Sequence, residues 1–381
     1  MSRPKADFDV AIIGAGPAGA TAAIELARAA RTVVVFEKKR FPRDKICGGC
    51  LSGPAVTCLQ ELLGNERRLP GPLVGLLRPH VGLPGIPCRR ISFVIGTSRL
   101  ECNPSGATRI TLRSELDACL TDIAQEAGAE VRYGQTAQLE FSDASWCVRV
   151  GSECIRADII LLAAGLGRQI NKLGISAQRT GRRLIAQQWL QPTNIALPRL
   201  GEVELHWLRG GYVGLATPNQ DQCVVALASE AVGRDGESAF ERLRRLNPDA
   251  AIWSALPPDA PYRFHAMGTA GFPWLPNRLG IGNVLLIGDL AGYAEPYSGD
   301  GIAQAMSSAR SAARAIMRGT DILACYSSLI RRRHRRLVQR SRMLSRLLRT
   351  SMVHGLATRC RVLPENLLSR IVEYVHVKGT A

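Results

Sequence analysis

One glycine-rich turn near the N-terminus constrains the fold more than any other part of this sequence. Residues 14–19 are Gly-Ala-Gly-Pro-Ala-Gly, between an apolar, β-prone run at 8–13 and an alanine-rich run at 20–30. In a strand–turn–helix unit, G-x-G-x-x-G spacing allows a tight turn, close backbone approach to a pyrophosphate and helix–strand packing. A second β-prone run at 32–36 is followed by Glu37, whose carboxylate can accept hydrogen bonds from ribose hydroxyls. The pattern predicts a dinucleotide-binding unit on a parallel sheet.

A second glycine-rich segment lies far along the chain, near residue 290. Apolar residues 284–287 are followed by Gly288-Asp289, and Gly299-Asp300-Gly301 begins a predicted helix over 300–317. Such a segment adds a second ribose contact and a second helix N-terminus, which attracts negative charge. Together the two segments predict a long ligand that spans both ends of the sheet.

Basic residues are concentrated at the C-terminus. The formal net charge is +17, and residues 310–381 contain 16 basic but only 3 acidic residues. A predicted helix over 323–350 is rich in arginine, and its apolar residues include Leu323, Ile330, Leu337 and Leu344. Two interpretations stay open: contact with an anionic membrane surface, or packing on the body with a solvated charged face. Nucleic-acid binding is disfavoured, because neither aromatic residues nor a recognition motif accompany the charge.

The composition is that of a globular chain. Its 381 residues, 46% of them hydrophobic, allow a sizeable core and make two domains a natural expectation. No run of about 18 uncharged apolar residues occurs, and the N-terminus lacks the apolar stretch of a secretory signal. The 11 cysteines are scattered and odd in number, so most are predicted to be small buried hydrophobic side chains. These features predict a cytoplasmic protein, peripheral at the inner membrane surface if the C-terminal helix contacts lipid.

Several segments together resemble the FAD-dependent geranylgeranyl reductase family. They are 14–19 with Glu37, Pro42-Arg43-Asp44-Lys45-Ile46-Cys47-Gly48-Gly49, Arg113, and Gly288-Asp289 with Pro296 and Gly299-Asp300-Gly301. That family belongs to the flavoproteins with the p-hydroxybenzoate hydroxylase fold, which are related to flavin monooxygenases and flavin halogenases. The resemblance covers roughly residues 7–320 and specifies the cofactor, FAD, more closely than the substrate.

The resemblance implies an α/β fold in which two domains are interleaved. A Rossmann-like FAD-binding domain is expected over 1–75, 105–170 and 270–320. An antiparallel β-sheet substrate domain is expected over 76–104 and 171–269, in agreement with the β-prone runs between 184 and 229. A basic helical tail over 321–381 completes the predicted architecture.

The resemblance also assigns residues to the two ends of the cofactor. At the adenosine and pyrophosphate end they are Gly14, Gly16, Ala18, Gly19, Glu37, Arg113 and Ala137. Glu37 would bind the adenosine ribose, Arg113 the phosphates, and Ala137 the adenine through its backbone. At the flavin end they are Cys47, Gly48, Gly49, Cys50, Asp289, Gly301 and Ile302. Asp289 would bind the ribityl chain, while Gly301 and Ile302 would donate backbone N–H groups to a flavin carbonyl.

The segment Cys47-Gly48-Gly49-Cys50 allows more than one interpretation. The resemblance favours a loop in which the glycines let the backbone approach the flavin and Cys47 faces the ring. A dithiol that relays electrons to the flavin is the alternative. A zinc site is disfavoured, because the sequence has no second C-x-x-C or H-x-x-x-H partner, and no metal is predicted.

The predicted activity is that of an FAD-dependent oxidoreductase that reduces C=C bonds of a hydrophobic substrate. One alternative is a monooxygenase that hydroxylates a phenolic or polyketide compound. Another is a non-catalytic flavin-binding protein that docks through its basic tail. Residues 211–218 lack the tryptophans of the halogenase Trp-x-Trp-x-Ile-Pro motif, and Ala163-Ala164-Gly165 lacks the aspartate that hydroxylases carry there. NAD(P)H, another reductant or a donor protein would supply electrons transiently, because no second G-x-G-x-x-G is present.

Overall fold

The computed structural model describes residues 6–64, 82–104, 107–165, 168–194, 196–230, 236–264, 266–294, 297 and 299–348. The strands are β1 (Phe8–Ile13), β2 (Val33–Glu37), β3 (Cys50–Leu51), β4 (Ile86–Pro87), β5 (Arg90–Ile95), β6 (Ser98–Cys102), β7 (Arg109–Ile110), β8 (Glu130–Tyr133), β9 (Ala137–Ser142), β10 (Ser145–Val150), β11 (Glu153–Ile155), β12 (Ala157–Leu162), β13 (Ala177–Pro192), β14 (Glu202–Leu208), β15 (Gly211–Ala216), β16 (Gln222–Glu230), β17 (Met267–Pro276), β18 (Gly280–Ile281) and β19 (Val284–Leu286). The α-helices are α1 (Pro17–Arg28), α2 (Gly53–Gly64), α3 (Arg113–Glu126), α4 (Ala239–Leu246), α5 (Ala260–Arg263), α6 (Gly301–Arg318) and α7 (Ile322–Leu348). Pro296 and the predicted tail beyond residue 348 lie outside the described residues.

A six-stranded sheet has the order β18-β19-β12-β1-β2-β8. All of its neighbouring pairs are parallel except β18 and β19. Strand β2 is buried at every position, as expected when both faces of a parallel sheet are covered. Helices α1, α2, α3 and α6 pack on one face, and the small sheet β11-β10-β9 covers the other. The predicted Rossmann-like α/β class is confirmed.

A seven-stranded sheet has the order β17-β13-β16-β15-β14-β5-β6. It is antiparallel except for the parallel pair of β14 and β5. Helix α4 packs on its outer face, whereas the inner face packs against Tyr293 and Tyr297. Strand β17 pairs with β13 on both sides of residue 270, where the sequence analysis put a domain boundary.

The prediction that most cysteines are small buried side chains is wrong, because only Cys88, Cys147 and Cys223 are buried among the described residues. Cys147 and Cys154 form a disulfide between β10 and β11. Their strands are adjacent and antiparallel, which brings the two backbones close enough for a bridge. Cys47 and Cys50 are free thiols.

Helix α7 packs on the body through residues spaced three or four apart. Its fully buried side chains are Tyr326, Ile330, His334, Val338 and Ser341. Of the predicted apolar series, Ile330 is buried in this face, Leu323 packs partly buried against the same core, and Leu337 is half-buried. A polar contact adds to this packing: the Tyr326 hydroxyl donates to the Leu286 carbonyl oxygen at 2.6 Å. No described helix is long and apolar enough to span a membrane.

Candidate functional site

The first glycine-rich turn is closed by contacts that only glycine permits. Gly14 adopts φ +104°, and its N–H donates to the Phe36 carbonyl oxygen at 2.8 Å. A Cβ atom at Gly14 would lie 2.6 Å from the Ala163 carbonyl oxygen, and one at Gly19 would lie 1.9 Å from the Gly14 carbonyl oxygen. The turn therefore holds the end of β1 against the first turn of α1, as the glycine spacing predicted.

Glu37 lies at the end of β2 and faces this turn. Its Oε2 accepts a hydrogen bond from the Ala15 N–H at 3.1 Å, and its Oε1 accepts one from the Lys39 N–H at 3.0 Å. The Arg43 guanidinium also reaches Oε2, at 3.4 Å. Glu37 as a whole is 5% exposed. A carboxylate offers about four acceptor positions, so Glu37 retains capacity for a ribose hydroxyl.

Two arginines converge on one fully buried carboxylate, that of Asp117. Arg113 donates to both oxygens of Asp117, from Nε at 2.8 Å and from Nη2 at 2.7 Å. Arg43 approaches from the loop after β2, with its Nη1 3.1 Å from Asp117 Oδ2. Burial alone would lower the pKa of Arg113, but the Asp117 carboxylate raises it above its usual value. The Arg113 guanidinium is therefore charged, and Asp117 holds both guanidinium groups in place.

The two guanidinium groups line an open space above Gly16. A Cβ atom at Gly16 would lie 3.7 Å from Arg113 Nη2 and 3.8 Å from Arg43 Nη2, with no closer neighbour. Arg43 Nε is buried and has no hydrogen-bond partner within the described part of the chain. Helix α1 also begins here, and the N–H groups of its first turn have no partner within the helix. This donor set fits the pyrophosphate of a dinucleotide such as FAD.

The second glycine-rich segment faces the same region. Asp289 lies in a 3₁₀ helix, Gly288–Ala291, and its Oδ2 is 3.6 Å from Lys45 Nζ. Trp274 Nε1 donates to the Asp289 carbonyl oxygen at 2.8 Å. Burial lowers the pKa of Lys45, an effect that Asp289 opposes. A Cβ atom at Gly288 would lie 2.9 Å from Ala18 Cβ, so the two glycine-rich segments pack directly on each other.

The loop from Cys47 to Cys50 is pinned against the inner face of the seven-stranded sheet. The Cys47 N–H donates to Gln188 Oε1 at 2.6 Å. A Cβ atom at Gly49, which has φ +75°, would lie 3.3 Å from Val224, whereas one at Gly48 would have only Ala226 within reach, at 4.0 Å. Cys50 Sγ would be 3.7 Å from a Cβ at Gly299, just before α6. Burial raises the pKa of the Cys50 thiol, and the nearby Cys88 and Cys47 add to the shift.

The remaining predicted residues divide between this region and the core. Gly301 is the first residue of α6, with the Tyr293 ring 3.8 Å from a Cβ built there. Ile302 is buried in the core beside α1. Ala137 begins β9 and pairs with Val150 in the small sheet. The Gln135 N–H donates to the Glu37 carbonyl oxygen at 3.0 Å, so the chain before Ala137 runs beside Glu37.

Four residues of this region had no role in the sequence analysis: Arg43, Lys45, Asp117 and Gln188. Arg43 and Lys45 lie in the segment 42–49 that carries the family resemblance, but only its cysteine and glycines were assigned to the cofactor. Asp117 follows Arg113 by four residues, which places both on one face of α3 and could have been noticed. No motif around Gln188 in the sequence indicates a role at this site. Among the described residues, no group of His, Cys, Asp and Glu could hold a metal ion.

An aromatic cluster lies on the inner face of the seven-stranded sheet. It consists of Trp207, Tyr212 and Tyr297, with ring centroids 5.0 to 6.1 Å apart. Tyr293 packs against the same apolar surface and also approaches Gly301. The Tyr297 hydroxyl donates to the Ser341 carbonyl oxygen of α7 at 3.0 Å. An apolar wall therefore adjoins the predicted flavin end and is connected to the C-terminal helix.

Comparisons with known proteins identify the family and the fold. The family model described as FAD dependent oxidoreductase matches residues 9–202, just over half of the chain. A menaquinone reductase of Mycolicibacterium smegmatis is 29% identical, over 89% of this chain and 84% of that protein. A digeranylgeranylglycerophospholipid reductase of Methanocella arvoryzae is 26% identical, over 84% and 81%. The crystal structure of a geranylgeranyl bacteriochlorophyll reductase-like protein from Thermoplasma acidophilum shares the fold, with a TM-score of 0.70 at 16% identity over 98% and 96% of the chains.

Proposed function

The chain belongs to the FAD-dependent oxidoreductases, and from this premise we propose that it is a reductase of C=C bonds in a hydrophobic small molecule. The observation that carries the proposal is the aromatic wall of Trp207, Tyr212 and Tyr297 beside the loop and helix start expected at the flavin end. Such a wall buries apolar surface of a substrate and excludes water from the reacting bond. Two relatives of similar length are named as reductases of a quinone and of a prenylated lipid.

Bound FAD would supply hydride transfer, and the protein would supply binding and orientation. Arg43 and Arg113 would hold the pyrophosphate above Gly16, with Asp117 fixing both guanidinium groups. Glu37 would accept the adenosine ribose, and Asp289 the ribityl chain. Gln188 would keep the backbone of the Cys47 loop close to the ring by accepting its N–H. Each role follows from a donor or acceptor that lies beside the glycine-rich segments or the Cys47 loop.

Two further parts of the proposal concern partners. We propose that NAD(P)H, another reductant or a donor protein reduces the flavin. A nicotinamide would bind only transiently, since the sequence has only one G-x-G-x-x-G turn. We also propose peripheral contact with a membrane through α7, because a lipid-soluble substrate resides in the bilayer.

One experiment separates the three candidate functions. Purified protein is expected to be yellow with one FAD per chain, as measured by absorbance after cofactor release. Reduced anaerobically with dithionite, it should be reoxidised by a prenylated quinone or geranylgeranyl lipid. After air has oxidised any quinol back to the quinone, mass spectrometry should still find product heavier by H₂. Oxygen-dependent hydroxylation of a phenol would instead identify a monooxygenase. Bound flavin that no acceptor reoxidises would identify a binding protein, and colourless protein that FAD cannot reconstitute would overturn the proposal.

Cys50→Ala is expected to leave the rate of flavin reduction unchanged. A dithiol relay needs a thiolate, and burial raises the pKa of Cys50 far from the range in which one forms at neutral pH. The rate is measured by stopped-flow absorbance with each reductant that reduces the parent protein. The matched control is Cys223→Ala, which removes a buried thiol from the outer face of the seven-stranded sheet. Loss of reduction in Cys50→Ala alone would favour the relay.

A further inference from the structure

Helix α7 has one buried face, and the opposite face is strongly basic. The buried residues from Tyr326 to Ser341 fix the rotation of the helix on the body. Its exposed arginines are Arg331, Arg332, Arg335, Arg336 and Arg346. None of these five forms an ion pair with a described residue, and α7 contains no Asp or Glu. The outer face therefore presents cationic charge that the described residues do not neutralise.

Two large apolar side chains stand on the same outer face. Leu329 is 37% exposed and Met343 is 71% exposed. At 100° per residue, they fall on one stripe with Arg332 and Arg336, and at 1.5 Å per residue they lie about 21 Å apart. Arginines that flank exposed apolar side chains are typical of helices that lie in a membrane interface.

We propose that the outer face of α7 is a docking surface for an anionic lipid bilayer, with Arg332 and Arg336 at the headgroups and Leu329 and Met343 inserted. Charge complementarity favours a negatively charged surface, and the apolar pair favours a lipid bilayer over nucleic acid, which offers no apolar layer to insert into. The inference rests on the proposed function in one respect: a hydrophobic substrate would come from the same bilayer. Tyr297, which donates to the Ser341 carbonyl oxygen, connects the aromatic wall to this helix.

The surface is tested by sedimentation of the FAD-bound full chain with vesicles, without turnover, so failure of the proposed activity does not affect the result. Vesicles of phosphatidylglycerol and phosphatidylcholine are expected to bind the protein, and vesicles of phosphatidylcholine alone are not. Arg332→Glu with Arg336→Glu should weaken binding by roughly 25-fold or more, since each basic residue near an anionic surface contributes about 1 kcal/mol. Arg31→Glu with Arg278→Glu changes the charge equally at exposed sites outside α7 and should retain most of the binding.

A second pair of variants distinguishes a bilayer from other polyanions. Leu329→Ser with Met343→Ser leaves the charge unchanged and should weaken vesicle binding by about tenfold, because less apolar area is inserted. FAD content and the thermal midpoint verify that each variant folds. Equal loss in both charge-reversal pairs would show that net charge, not this face, attracts the vesicles. Unchanged vesicle binding in the serine pair, or tighter binding of duplex DNA than of anionic vesicles, would overturn the lipid assignment.

Discussion

Asp117→Ala is expected to lower the free energy of unfolding of the FAD-free protein by about 3–5 kcal/mol. The substitution leaves Arg113 without its paired carboxylate and takes from Arg43 its closest ion pair. Removing one partner from a buried ion pair is costly, because the remaining charge stays in a medium that solvates it poorly. Here one carboxylate serves two guanidinium groups, so the upper part of the range is expected. The measurement is denaturant unfolding followed by circular dichroism.

Two comparisons show whether the loss comes from the arginine cluster. Glu115→Ala removes an exposed carboxylate from the first turn of the same helix and should cost less than about 1 kcal/mol. Saturating FAD should restore part of the stability of Asp117→Ala, since the pyrophosphate would bring negative charge to the same guanidinium groups. Equal stability of the two variants would contradict the role of Asp117. A loss that FAD does not relieve at all would place the phosphates elsewhere.

The parts of the site that local chemistry determines could be predicted from the sequence. The local pattern of strand, turn and helix predicts Gly14 and Gly19, because backbone sterics restrict that turn to glycine. The position after the second strand predicts Glu37. The resemblance to the geranylgeranyl reductase family, which the comparisons confirm, extended this to FAD and to an interleaved second sheet. Identity of the cofactor was thus within reach of sequence reasoning.

The rest depends on contacts between distant segments. Arg43 lies in a loop and Asp117 in α3, with Arg43 Nη1 3.1 Å from Asp117 Oδ2. No local sequence pattern around either residue predicts this ion pair. Likewise, the amide of Gln188 reaches the Cys47 backbone across 141 residues of chain. On α7, the packed face includes His334 and Ser341, which a search for apolar residues passes over. Tertiary packing, which periodicity alone does not encode, selects these residues.

Gly19→Ala is expected to destabilise the protein by about 3 kcal/mol or more, at the upper end of the cost of overpacking. The added Cβ atom would lie 1.9 Å from the carbonyl oxygen of Gly14 and 3.2 Å from Ile12 Cγ2. The first of these is a backbone atom, so no change of rotamer relieves the clash. Helix α1 would have to move away from β1, and α1 in turn packs against Ala305 and Met306 of α6 within the same core. The unfolding free energy without FAD measures this effect.

Gly16→Ala, three residues earlier, separates the fold of the turn from its use. A Cβ atom at Gly16 meets nothing closer than 3.7 Å, and its φ of −76° suits any residue, so stability should change by no more than about 1 kcal/mol. The methyl group would nevertheless occupy the space between the guanidinium groups of Arg43 and Arg113. FAD binding, measured by flavin fluorescence, should therefore weaken in Gly16→Ala although the protein remains folded. If Gly16→Ala bound FAD as tightly as the parent protein, the pyrophosphate would not lie against this turn. A Gly19→Ala variant with the same unfolding free energy as the parent protein would contradict the close contact with Gly14.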